Sequence, residues 1–231
     1  MQLINIKKIK GTIRLLSGLH VGAGKDSVEI GGLDQPIIKH PITGSPYIPG
    51  SSLKGKMRAL LETSIFFANQ NTRDSVLKGK PCECGQKGCP ACTLFGSHKA
   101  PKDYDPQLGP TRLLVRDAYL TDDCEKQFKN GRLPMEIKYE STIDRVQGTA
   151  TPRPLERIPA GTTFVLNIAL KVFDGDEADE LLQHVWQGLK LVEMDALGGG
   201  GSRGNGQVRF EQLQLDGKAV DLDTVAIFAN Q

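Results

Sequence analysis

Apolar and polar residues alternate in several stretches of the chain, and this period of two predicts β-strands. The clearest stretch runs from Phe164 to Val172, where every second residue is apolar. Residues 2–16 have the same strand character, as do residues 111–120. A last strand is expected around Val208. Four strands are therefore predicted along the chain.

Two helices are predicted between these strands, because apolar residues there recur with a helical period. The first should begin at Ser51 or Ser52, since a serine side chain can cap the free amides of a helix start. Its apolar stripe comprises Leu53, Met57, Leu60 and Leu61. The second should be capped by Asp174 or Asp176. Its stripe comprises Leu181, Leu182, Val185, Trp186, Leu189 and Val192.

The order of the elements is strand, helix, strand, strand, helix, strand. This order is typical of an α+β, ferredoxin-like fold, a βαββαβ core that RRM domains share. We expect residues 1–231 to form a single domain of this kind. Two stretches are too polar and too long to be simple connections, and we interpret 71–110 and 121–160 as insertions.

The composition narrows the class of protein. With 39% hydrophobic residues and a formal net charge of only +2, the chain of 231 residues is not expected to be disordered. No apolar run reaches the roughly 18–20 residues needed to span a bilayer. The first residues, MQLINIKKIKG, lack the uninterrupted apolar segment of a signal peptide. We therefore expect a cytoplasmic protein without a membrane partner.

Four of the five cysteines lie together, and their spacing predicts a metal site. Cys82, Cys84, Cys89 and Cys92 form a C-x-C-x₄-C-x₂-C pattern. In a reducing compartment such a cluster favours structural Zn²⁺ over disulfides, and four thiolates leave no open position for catalysis. His98 is an alternative ligand for one position. The fifth cysteine, Cys124, is expected to be an ordinary half-buried thiol.

A stretch free of acidic residues runs from Gln35 through Leu61. Its basic residues are Lys39, Lys54, Lys56 and Arg58. A helix that begins at Ser51 would bring its amides, its dipole and Lys54 to one place, which is an arrangement suited to phosphate. The alternative is an ordinary solvated helix face.

Four segments, taken together and in this order, resemble the RAMP superfamily. They are IGGLDQPIIKHPITGSPYIPGSSLKGKMR at 30–58, CECGQKGCPACTLFGS at 82–97, YESTIDRVQGTATPRPLERIPAGTTF at 139–164 and GGGGSRGNGQV at 198–208. More narrowly, the chain resembles the repeated backbone subunit of type III (Csm-type) CRISPR effector complexes.

This resemblance implies a function. Copies of such a subunit stack as a filament along a guide RNA, together with other type III effector subunits. Each copy inserts a thumb hairpin, expected within 121–160, between bases, and it cleaves the complementary target RNA at six-nucleotide intervals. The resemblance thus implies a metal-dependent endoribonuclease that is active in the assembled complex. Alternatives are a guide-binding scaffold that does not cut and a stand-alone ribonuclease that processes precursor RNA.

The resemblance places the catalytic role on Asp34, in the sequence GGLDQP. From the residues alone, an aspartate between glycines and a proline is more often a turn residue. A lone carboxylate is suited to help hold Mg²⁺ or another divalent cation, which keeps several waters. Asp26 and Glu29 are nearby in the sequence but have no assigned role. Attack by a 2′-hydroxyl would give a cyclic phosphate and a free 5′-hydroxyl, so DNA would resist cleavage.

The resemblance also implies a set of RNA contacts. It assigns guide RNA contact to His20, to Ser51, Ser52, Lys54 and Arg58 on the first helix, and to Arg203 in the glycine-rich segment. In the thumb the cations are Arg145 and Arg153, together with Lys138 and Arg157, and Ile143 or Val146 would be the wedge between bases. The alternatives are a general-base role for His20, a disordered loop at 138–157 and a flexible linker at 198–206.

Overall fold

The computed structural model describes residues 1–23, 35–97 and 105–228. The strands are β1 (Leu3–Leu15), β2 (Tyr47–Ile48), β3 (Leu113–Val115), β4 (Ala118–Tyr119), β5 (Glu136–Ile143), β6 (Ala150–Arg157), β7 (Thr163–Phe173), β8 (Val208–Leu215) and β9 (Lys218–Ala219). The α-helices are α1 (Gly50–Thr63), α2 (Gln70–Val76), α3 (Pro90–Phe95), α4 (Asp122–Lys129) and α5 (Ala178–Met194).

The described residues form a central antiparallel sheet with the strand order β3-β7-β1-β8-β9. β1 is its middle strand: it pairs with β7 from Leu3 to Arg14 on one side, and with β8 from Ile9 to Leu15 on the other. Among the core strands β1, β3, β7 and β8, the first lies between the third and the fourth. This is the ferredoxin-like arrangement, and it confirms the predicted α+β class.

The helices α1 and α5 pack against each other and share one buried core with the sheet. Met57 of α1 and Val185 of α5 belong to the same apolar cluster as Ile13 and Ile168 of the sheet. Gly188 of α5 permits this close packing, since a Cβ atom there would lie only 3.0 Å from the methyl carbon of Met57. The predicted stripes therefore face the core.

Both core helices begin at residues other than those predicted from the sequence. α1 begins at Gly50, before Ser51, because the carboxylate of Asp117 accepts a hydrogen bond from the Gly50 amide at 2.7 Å. α5 begins at Ala178, and Asp176 does not cap it. The Asp176 carboxylate instead pairs with the Arg112 guanidinium at 2.8 Å, and its side chain is 9% exposed.

The connections differ from the predictions in two places. The single strand expected over 111–120 is divided into β3 and β4, and β4 pairs with β2 rather than with the main sheet. The stretch 121–160 begins with the helix α4 before the β5–β6 hairpin. The sequence pattern hid α4 because Cys124 is its one buried residue.

Among the residues that the structure describes, no helix combines the length and the apolarity that crossing a membrane requires.

Candidate nucleic-acid interface and metal centre

The glycine-rich loop, residues 198–206, is fastened to the segment that follows β1. The amide of Gly199 donates to the carbonyl of His20 at 2.8 Å, and the amide of Gly206 donates to the carbonyl of Gly18 at 2.9 Å. Gly206 has a φ of 76°, and a Cβ atom there would lie 1.9 Å from the carbonyl oxygen of Leu197. The loop therefore has a defined conformation, held by these hydrogen bonds, and is not a flexible linker.

The base of the β5–β6 hairpin is clamped onto this loop. The Lys138 ammonium donates to the carbonyl of Arg203 at 2.8 Å and lies 3.3 Å from the side-chain oxygen of Asn205. The Arg157 guanidinium donates to the same Asn205 oxygen at 2.8 Å and pairs with Glu136. Asn205 thus joins both strands of the hairpin to the loop.

Arg203 extends from the loop towards the hairpin and forms an ion pair with Glu140 of β5. Its Nε lies 2.8 Å from Oε2 of Glu140, and the other carboxylate oxygen lies 3.3 Å from the Lys138 ammonium. Burial acts to raise the pKa of Glu140, but the hydrogen bonds from Arg203 and Lys138 hold it below its usual range. Glu140 therefore stays ionised between two cations.

His20 lies beside the loop and is oriented by β6. Its Nδ1 is 2.8 Å from the backbone carbonyl of Glu156, so the ring position is set by the hairpin strand. The buried Glu156 carboxylate accepts from the Ile37 amide at 3.0 Å and from the Lys39 ammonium at 2.6 Å. The Glu156 amide in turn donates to the carbonyl of Gln35 at 3.1 Å. These contacts of Glu156 hold the chain in place from Gln35 to Lys39. Four residues named in the sequence analysis lie outside the described residues: Asp34, Asp26, Glu29 and His98.

The start of α1 presents Ser51 and Lys54 at the surface. Ser51 is exposed, and Ser52 and Lys54 are half-buried. Burial lowers the pKa of Lys54, and the nearby charges of Arg58 and Lys171 lower it further. Lys54 thus lies among other cations. The amide of Gly50, however, is already taken by Asp117, so the helix start offers fewer free donors than the sequence predicts.

The RNA contact predicted for Arg58 stays a prediction, and in this structure its guanidinium has partners within the protein. Its side chain is only 9% exposed and forms an ion pair with Glu62 at 2.8 Å. The guanidinium also donates to the backbone carbonyl of Cys82 at 2.5 Å, and Glu62 accepts from the Cys82 amide at 3.1 Å. Arg58 and Glu62 therefore hold the cysteine segment against α1. In a helix, residue 58 lies close to both Lys54 and Leu61, so the period alone leaves its exposure undecided. The sequence does not show that the cysteine insertion covers this side of α1.

We expect Arg58→Ala to lower the free energy of unfolding by about 3–5 kcal/mol, because it leaves the Glu62 carboxylate buried without its partner. Urea unfolding of the purified chain measures this change. Lys56→Ala is the matched control on the same helix, since its ion pair with Asp195 is partly exposed and is expected to contribute less than about 1 kcal/mol. Equal stability of the two variants would contradict the assignment.

The far end of the hairpin carries exposed apolar and basic side chains. Ile143 and Val146 are exposed, as are Arg145 and Arg153. The turn is ordered by Asp144, whose carboxylate accepts hydrogen bonds from the amides of Val146 and Gln147. These bonds hold the pKa of Asp144 below its usual range. The segment is thus a formed hairpin rather than a disordered loop.

The four clustered cysteines converge as a metal site requires. Their sulfur atoms all lie within 4.8 Å of one another. The separations are 3.6 Å for Cys82 and Cys89, 3.8 Å for Cys84 and Cys92, and 4.0 Å for Cys82 and Cys92. A tetrahedral ion with sulfur ligands at about 2.3 Å needs ligand separations of about 3.8 Å. The cluster can therefore hold a metal ion.

The hydrogen bonds within the cluster show that its thiols act together. The pKa of Cys82 is lowered because its sulfur accepts from Cys89 and Cys92, whereas the contact with Cys82 raises the pKa of Cys89 to about 12. Clustered thiols that share protons can lose those protons to a metal cation, which then binds the thiolates.

The fifth cysteine, Cys124, lies outside this cluster. It is buried in α4, where it contacts Thr163.

The structure brings His20, Arg203 and the hairpin base together through one hydrogen-bonded network. Sequence reasoning missed three members of that network: Asn205, Glu140 and Glu156. Asn205 had a signal, because it is the one amide side chain in the glycine-rich loop. Glu140 and Glu156 had none, since the arginine partner of Glu140 lies 63 residues later in the chain and the lysine partner of Glu156 lies 117 residues earlier.

The chain is similar over most of its length to a known family and to known proteins. The profile of the RAMP superfamily matches residues 12–209. The protein named CRISPR system Cms endoribonuclease Csm3 from Methanothermobacter thermautotrophicus is 41% identical over 227 residues, which is 92% of this chain and 86% of that protein. The crystal structure of Methanopyrus kandleri Csm3 aligns with a TM-score of 0.63 at 28% identity, over 91% of this chain and 76% of that one. A chain in the crystal structure of a Csm3–Csm4 subcomplex of the type III-A CRISPR-Cas interference complex aligns with a TM-score of 0.58 at 29% identity, over 93% of this chain and 80% of that one.

Proposed function

The chain belongs to the RAMP superfamily, and on that basis we propose that it is the guide-RNA-binding backbone subunit of a type III CRISPR effector that cleaves complementary target RNA at six-nucleotide intervals. The relatives that carry the endoribonuclease name support the activity. The likeness to a subunit in a Csm3–Csm4 subcomplex supports assembly with other effector subunits. The cytoplasm, where thiols stay reduced, is the compartment that suits the cysteine cluster.

The observation that carries the proposal is the clamp between the hairpin base and the glycine-rich loop, with Arg203 beside it. A glycine-rich backbone without bulky side chains, next to a guanidinium, permits the close approach of a phosphate or ribose. Guide RNA then runs over His20 and Arg203 and past Ser51, Ser52 and Lys54. The hairpin end inserts Ile143 or Val146 between bases, where Arg145 and Arg153 meet the phosphates of the kinked duplex.

We assign cleavage to Asp34 with a divalent cation such as Mg²⁺. A carboxylate oxygen is the kind of ligand that Mg²⁺ takes, and the cation would supply charge stabilisation at the reacting phosphate. The contribution of the chain is to position Asp34: Glu156 ties down Gln35, Ile37 and Lys39 immediately after it. The 2′-hydroxyl of the target RNA is the nucleophile in this scheme, which restricts cleavage to RNA.

The Cys82, Cys84, Cys89 and Cys92 cluster is assigned to structural Zn²⁺. The donor set supports this choice, since four thiolates at tetrahedral separations match zinc and leave no open position. Its role is to fold the polar insertion and to dock it on α1 through Arg58 and Glu62.

The RNA contacts are tested by binding a fluorescently labelled single-stranded RNA to the purified chain at several salt concentrations. We expect Arg203→Ala or Lys54→Ala to weaken binding by about tenfold, because each removes a charge-assisted hydrogen bond to phosphate. Each should also reduce the slope of log affinity against log salt by about 0.7.

Lys56→Ala serves as the control for this experiment, because its ammonium is engaged by Asp195. It removes the same charge as Lys54→Ala from a position two residues away. If Arg203→Ala and Lys54→Ala bind RNA as tightly as Lys56→Ala does, the proposed groove is wrong.

A further inference from the structure

The Glu140 carboxylate lies where an RNA phosphate would meet Arg203. Its Oε2 is 2.8 Å from Nε of Arg203, and its Oε1 is 3.3 Å from the Lys138 ammonium. It is the anion that the cations Lys138 and Arg203 share, whereas the neighbouring Arg157 is paired with a second anion, Glu136. The Arg203 side chain is 61% exposed, so an incoming ligand can reach it.

We propose that Glu140 is a specificity-determining residue: its carboxylate occupies the phosphate-binding side of Arg203 in the RNA-free chain, and RNA must displace it. This inference rests on the proposed function, since it assumes that Arg203 contacts RNA. A carboxylate and a phosphate present the same kind of acceptor oxygens to a guanidinium, so the two exclude each other at one Nε.

As a consequence, an RNA must make several phosphate contacts before its binding displaces Glu140. With Glu140 in place, the two cations Lys138 and Arg203 share one negative charge, so a single phosphate gains little by replacing it. An RNA that also contacts other parts of the groove supplies the additional phosphate contacts and can displace the carboxylate. Glu140 thereby disfavours short or loosely bound RNA more than it disfavours a guide that follows the whole groove.

The test is Glu140→Gln, which keeps the shape and an acceptor oxygen for Arg203 but removes the charge. We expect it to bind a labelled short single-stranded RNA about three- to tenfold more tightly than the unmodified chain, with a salt slope steeper by about 0.7. The gain should disappear in the Arg203→Ala background, because Arg203 is the exposed cation that Glu140 covers, whereas the Lys138 ammonium is also held by the Arg203 carbonyl and by Asn205.

Glu211→Gln is the matched control. Glu211 also pairs with an arginine across two strands, at 2.7 Å from Arg14, and its removal changes the net charge equally. Its effect on RNA affinity should stay within twofold. Equal tightening by both variants would show a general charge effect and would overturn the proposal, as would tightening that persists with Arg203→Ala.

The RNA-binding experiments distinguish failure of the proposal for Glu140 from failure of the proposed RNA groove. If Arg203→Ala weakens RNA binding while Glu140→Gln leaves it unchanged or weakens it, the proposal for Glu140 is wrong and the groove stands. If Arg203→Ala has no effect on RNA binding, the groove itself is wrong, and the proposal for Glu140 falls with it.

Discussion

Replacing Asp34 with alanine is expected to abolish cleavage of a complementary target RNA in the assembled, guide-bound complex. The rate should fall by at least about a hundredfold, the scale on which a group that acts at the reacting centre contributes. Affinity for guide and target RNA should change less than threefold. Gel electrophoresis of end-labelled target RNA measures the rate, and anisotropy of labelled RNA measures the affinity.

Asp26→Ala is the control for this prediction, since it removes a carboxylate eight residues earlier in the same acidic segment. It should leave cleavage within about threefold. Should Asp34→Ala cut at the normal rate, Asp34 is not the catalytic residue and the assignment of cleavage to it is wrong. Loss of RNA binding together with cleavage would instead show that Asp34 holds the groove together.

Removal of zinc is the second change with a large expected effect. Cys82→Ser should reduce bound zinc from one ion per chain to none, and it should lower the melting temperature by more than about 10 °C. The reason is that Cys82 joins the cluster to α1 through the Arg58 and Glu62 contacts, so loss of the ion releases an insertion attached to the core. Metal analysis and thermal unfolding measure the two quantities.

Cys124→Ser provides the matched control, because Cys124 is a buried thiol outside the cluster. It should keep its zinc. A cluster without structural metal would be indicated if Cys82→Ser and Cys124→Ser contained the same amount of zinc, or if a chelator left the melting temperature unchanged.

The sheet and its two helices could be predicted because burial imposes a period on the sequence. The alternation from Phe164 to Val172 matches a strand with one buried face, and the stripe on α5 matches the helix that covers it. The element boundaries could not be predicted, because distant side chains set them. Asp117 determines where α1 begins, and Arg112 draws Asp176 away from the start of α5.

The candidate site residues likewise divide into those that a local sequence pattern could predict and those that depend on distant partners. The cysteine spacing predicted a cluster that the fold brings together, because short spacings force neighbouring sulfurs to converge. Arg203 was marked by its glycine-rich surroundings. The charge of Arg58 suggested a side chain in solvent, whereas the insertion buries it against Glu62. The pairing of Glu140 with Arg203 joins β5 to a loop 63 residues later, and no local pattern reports such a contact.

The most direct test of the account is the pattern of fragments from an end-labelled target RNA cut by the assembled, guide-bound complex in the presence of Mg²⁺. The account predicts a ladder of products that differ by six nucleotides and end in a cyclic phosphate, with no cleavage of the matching DNA. A single cut, an irregular spacing or equal cleavage of DNA would contradict it.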